Sequence, residues 1–122
     1  MASNTIKGLT VQIGADPLGL DTALKGIEQK TKKAADELKD VNKTIRITGE
    51  SATLWDQKQK LLNTALDESK KKLGTLIEAQ SQVKKQLADK TITGEQYRAF
   101  QREVEYAKSA VDKYEKELAE AK

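Results

Sequence analysis

From Leu54 to Ala121 apolar or small residues recur in alternating steps of three and four, a spacing that commits this stretch to packed helices. The first series is Leu62, Leu66, Ser69, Leu73, Leu76, Gln80, Val83 and Leu87. The second is Tyr97, Phe100, Val104, Ala107, Val111, Tyr114, Leu118 and Ala121. A stripe this narrow is the seam of a coiled coil, not the wider apolar face of a globular helix.

The break between the two series is well specified. Thr93 with Gln96 three residues on has the spacing of a capping box, and Ile92 with Tyr97 that of a hydrophobic staple. A loop at about 89–94 therefore predicts two antiparallel arms. In that register Leu87 meets Tyr97, Val83 meets Phe100, Gln80 meets Val104 and Leu76 meets Ala107. Leu73 then meets Val111, Ser69 meets Tyr114, and Leu66 meets Leu118. Large faces small in two of these layers, as close packing requires. The register also leaves Trp55 to Leu61 beyond the end of the returning arm, without partners, and sets Trp55 on the seam as packing. Glu115 to Lys122 stays in helical phase with no Gly, Asn or Pro to stop it, so the helix is expected to run on.

Ahead of the arms, Leu9, Val11 and Ile13 alternate with Thr10 and Gln12, the period of a half-buried strand. Such a strand needs a partner. The alternating Thr44–Thr48 is the internal candidate, and the same strand of a neighbouring copy is the other. Leu20, Leu24, Ile27, Thr31, Ala34, Leu38, Val41 and Ile45 then step by four and three, predicting a helix of about six turns. Asp16, Pro17 or Asp21 is suited to begin it. Gly49 breaks the pattern, and Ser51 or Thr53 is placed to cap the next helix.

The predicted fold is mainly α: a short N-terminal strand segment (1–16), one helix (17–46), a linker (47–52), and a long antiparallel coiled-coil hairpin (53–122). Composition agrees, since about half the residues are Ala, Glu, Lys, Leu or Arg. Aromatics are only 4%, so a narrow seam or partner chains must supply the stability, and an oligomer of a few copies is expected.

With no cysteine and no histidine, the chain has no disulfides, thiolate or imidazole metal ligands, Cys nucleophiles or His bases. Every Asp and Glu falls on an outward or flanking helical position or in a turn, which offers no desolvated carboxylate for acid–base work. No catalytic, cofactor or metal site is expected, and no membrane contact for this segment. The net charge of +3, from 22 basic and 19 acidic residues, is modest, so specific nucleic-acid binding is not expected. The run Lys70, Lys71 and Lys72 falls level with Asp112, Glu115 and Glu117, and reads as a solvated, partly paired flank.

Thr5–Asp16 (TIKGLTVQIGAD), followed by Gly19–Leu24 (GLDTAL), resembles the opening of tail tape measure proteins of long non-contractile-tailed phages and prophages of Gram-positive bacteria. Lys58–Leu62, Lys70–Leu73 and Glu78–Gln80 resemble the helix that follows in that family, and Gly94–Arg98 through Arg102–Val104 its return helix. The resemblance implies a structural, multi-copy helical ruler inside the tail tube, with tail-tube and other tail assembly proteins as partners and the virion tail as location. Family members often carry an Asp-Pro-Gly-Asn-like turn where this chain has Thr48-Gly-Glu-Ser51, and they are many times longer. The chain would then be an N-terminal segment. A generic coiled-coil scaffold or partner-docking module is the other reading of the same residues.

Overall fold

The computed structural model describes residues 10–13 and 16–120. Three helices dominate: α1 (Leu20–Thr48), α2 (Ala52–Ala88) and α3 (Gly94–Glu120). Ahead of them the backbone forms a two-stranded antiparallel ribbon, β1 (Thr10–Ile13) against β2 (Asp16–Gly19). Val11 stands opposite Leu18, and Ile13 opposite Asp16; Leu9 lies outside the described residues.

Three boundaries differ from the sequence-based expectation. Thr44–Thr48 is not a strand partner; it is the last turn of α1. The Thr44 and Thr48 hydroxyls donate to the carbonyls of Asp40 and Thr44, each at 2.9 Å, so β-branched residues are accommodated within the helix. Ile45 meanwhile continues the half-buried face. Asp16 and Pro17 belong to β2, so α1 starts at Leu20 and spans 29 residues, about eight turns rather than six. The linker shrinks to residues 49–51. Gly49 adopts φ +86° and its N–H donates to the Ile45 carbonyl at 2.7 Å, closing α1 in the left-handed conformation that glycine permits. Ser51, not Thr53, caps α2: its Oγ accepts from the Leu54 N–H at 3.1 Å.

After the 37 residues of α2, the turn reverses the chain. The N–H groups of Asp89, Lys90 and Thr91 bond back to Lys85, Leu87 and Gln86 carbonyls, and Lys90 takes φ +61°. Thr93 and Gln96 bond reciprocally: the Gln96 N–H donates to Thr93 Oγ1 at 3.1 Å, and the Thr93 N–H to Gln96 Oε1 at 2.9 Å. Ile92 is buried and belongs to the same apolar cluster against which Tyr97 packs.

The core is divided in two. One cluster joins Leu20 and Leu24 of α1, Leu76, Ala79 and Val83 of α2, Ile92, and Phe100, Val104 and Ala107 of α3. The other joins Ala34 and Leu38 of α1, Leu62, Ala65 and Leu66 of α2, and Tyr114 of α3. Successive helices therefore run antiparallel. Among the described residues the backbones of α1 and α3 each approach α2 and do not approach one another. α2 is the middle helix.

That position explains a feature of α2 absent from its apolar pattern. The row Leu62, Leu66, Ser69, Leu73, Leu76, Gln80, Val83 and Leu87 is turned inward. So is a second row one residue before it: Leu61, Ala65, Glu68, Lys72, Thr75, Ala79, Gln82 and Gln86. A helix between two neighbours must bury two adjacent heptad rows, and the second, apart from Leu61, is built from small, polar and charged residues. Ala65 and Ala79 are fully buried, which lets a neighbouring helix come close.

Candidate functional site

The residues singled out as the seam fall into the two clusters. Leu62, Leu66, Ser69, Leu76, Val83, Phe100, Val104, Ala107 and Tyr114 are buried. Leu73, Leu87 and Tyr97 pack on the first cluster, and Val111 and Leu118 on the second. Ala121 lies outside the described residues.

The overhang at Trp55 to Leu61 is corrected. Trp55 and Leu61 pack against the second cluster, because α1 returns along α2 and brings Ala34 and Leu38 there. The seam pairs α2 with α3 alone, and α1 is the neighbour that covers this end. Lys58 lies over the Trp55 ring with Nζ 5.2 Å from its centroid, and Lys113 over Tyr114 at 5.6 Å.

The placement of carboxylates is corrected as well. Glu68 and Glu103 are buried, at 6% and 4% exposure, rather than outward or flanking. Lys72, whose side chain is only 15% exposed, has its Nζ 3.0 Å from Glu28 Oε2 of α1 and 3.2 Å from Glu103 Oε1 of α3. One lysine of the middle helix thus ties both outer helices. Along α1 and α2 this ionic layer falls between the two apolar clusters. Charges this far from water are compensated only by partners held in place, so removing one partner costs far more than an exposed pair would. Lys71 pairs with Glu68 on its own helix at 3.2 Å. Of the pairings expected with Asp112, Glu115 and Glu117, the described ion pairs include that of Lys70, which reaches Glu115 at 4.0 Å with both side chains more than half exposed. Lys70 belongs to the solvated flank; Lys72 belongs to the interior.

The triplet of lysines concealed this difference. What separates Lys72 from its neighbours is membership of the row Ala65, Glu68, Lys72, Thr75 and Ala79, whose two alanines are the sequence signal of close helix contact. A search for apolar periodicity passes over such a row.

The ionisation of Tyr114 is clearly displaced. Burial pushes its phenol above 10.0, and the nearby Glu117 carboxylate adds to the rise. Among the described residues no group of His, Cys, Asp and Glu is arranged to hold a metal ion. No described helix is long and apolar enough to cross a membrane. The arrangement is one of helices held in register, with its polar interior used for pairing between elements. Compared with known protein families, with curated proteins and with solved structures, the chain matches none.

Proposed function

We propose that this chain is the N-terminal part of a tail tape measure protein, a helical ruler and scaffold that acts with tail-tube proteins inside the assembling phage tail. The observation that carries the reading is the resemblance of Thr5–Asp16 and Gly19–Leu24, continued through the two helical arms. The geometry is in keeping with it. A helix converts residue number into length at about 1.5 Å per residue, so the 37 residues of α2 span about 55 Å. In this reading the antiparallel coiled-coil hairpin is a compact form of the segment, a few copies associate in the virion tail, and catalysis plays no part.

The test is tail length. Inserting eight heptads in phase into α2 in the producing phage should lengthen tails by roughly 84 Å in electron micrographs if the helix runs extended. Mass spectrometry of purified particles should find the chain in them. Tails of unchanged length that contain the lengthened chain would leave a scaffold role only. Particles without the chain would overturn the reading.

One observation favours the second reading, a generic coiled-coil scaffold or partner-docking module. Both inward rows of α2 are covered within a single chain, by α1 and α3. A strictly monomeric segment by light scattering at high concentration would support that module, and a few-fold oligomer the ruler.

A further inference from the structure

We propose that the cleft between α1, the start of α2 and the end of α3 docks a partner protein segment carrying one large apolar side chain flanked by carboxylates. The cleft holds about 290 Å³. Its apolar lining is Trp55, Leu62, Leu38 and Tyr114, and each helix adds a lysine: Lys39 from α1, Lys58 from α2 and Lys113 from α3. Residues far apart in sequence thus converge on one opening.

The charges indicate what the cleft receives. Among the described residues no carboxylate forms an ion pair with Lys39, Lys58 or Lys113. Two of the three instead lie over the aromatic rings of the lining. Glu117 and Glu120 also border the cleft, both on the last turns of α3, so the lysines outnumber the carboxylates. Cations over aromatic rings, beside an apolar floor, suit a partner that offers an apolar anchor and anionic neighbours.

Size narrows the occupant further. A volume of about 290 Å³ lies at the lower end of small-molecule pockets and suits a single large side chain better than a whole cofactor. A partly buried anchor with a charged rim is the arrangement of a protein–protein hot spot. The inference is independent of the tail reading, since it concerns the isolated chain.

The probe is a capped pentapeptide with phenylalanine between two pairs of glutamates, titrated against the full chain and followed by Trp55 fluorescence and calorimetry. A saturable change is expected, with affinity falling about tenfold or more in Lys58→Glu/Lys113→Glu. Replacing the peptide's phenylalanine by alanine should weaken it comparably, while Lys60→Glu, which leaves the cleft lysines in place, should not. Far-UV circular dichroism confirms that each variant is folded. Equal binding of a lysine-flanked peptide would overturn the proposal, and so would no saturable heat up to about 5 mM.

Discussion

Lys72 shows how much one side chain can carry in a bundle with so few aromatics. Lys72→Ala leaves Glu103 in the interior without that ammonium, and unfolding free energy should fall by about 3 kcal/mol, read from urea melts. The triple change Glu28→Leu, Lys72→Leu and Glu103→Leu removes charge and counter-charge together. It should match or exceed the parent stability, by up to about 4 kcal/mol. Loss of stability in the triple variant would show that the layer strengthens the fold beyond what apolar packing achieves there. Lys70→Ala, at an exposed pair, should change stability by less than about 1 kcal/mol. Tyr114 sets a limit in alkali. Because its folded pKa lies above 10.0, the neutral phenol is the form the fold favours. Its contribution is complete below pH 10.0 and is lost as pH rises through the raised value. Tyr114→Phe should therefore retain helicity, by circular dichroism, to higher pH than the parent.

Among the elements, α2 makes the sharpest demands. Gly74 lies on its outer face and Gly26 on that of α1, and a methyl group added at either meets no atom within 4 Å. Gly26→Ala and Gly74→Ala should each raise stability by about 0.5–1 kcal/mol through helix propensity. Ala79→Leu is expected to do the reverse. Ala79 is fully buried in the second row, and the larger side chain should cost about 1–3 kcal/mol by forcing α2 away from its neighbour. Thermal melts of the three variants check both signs. The same contrast explains how far the sequence was informative. Leu62 to Leu87 and Tyr97 to Leu118 were legible because leucines and valines at heptad spacing declare an inward face. The Thr93–Gln96 cap was legible because its chemistry is local. The row of Ala65, Glu68, Lys72 and Ala79 was not, because burial there comes from a third helix brought alongside. Pairwise reasoning about two arms contains no such neighbour. For the same reason Trp55 looked stranded, and Thr44–Thr48 looked like a strand: the alternation of two threonines and two isoleucines ignores hydroxyls that bond within a helix.

At the scale of the whole molecule, two apolar clusters joined by an ionic layer raise the question of whether they unfold together. Trp55, the single tryptophan, packs on the cluster formed by Ala34, Leu38, Leu62, Ala65, Leu66 and Tyr114 and reports on that half alone. In the parent chain its fluorescence and the far-UV circular dichroism should give one urea midpoint, because α2 runs unbroken through both halves. In Lys72→Ala the two midpoints should separate, with the circular dichroism transition broadening. Coincident midpoints in that variant would show that helix continuity alone couples the halves.

The central position of α2 also sets how the chain tolerates change. Along α2 substitutions meet a neighbour on each of two sides, whereas those on α1 or α3 meet chiefly one helix. A saturation-mutagenesis map should therefore be uneven, with the fewest permitted replacements per residue along α2. The outer helices would be free to diversify, and new surface specificities would arise there while the middle helix stays nearly fixed.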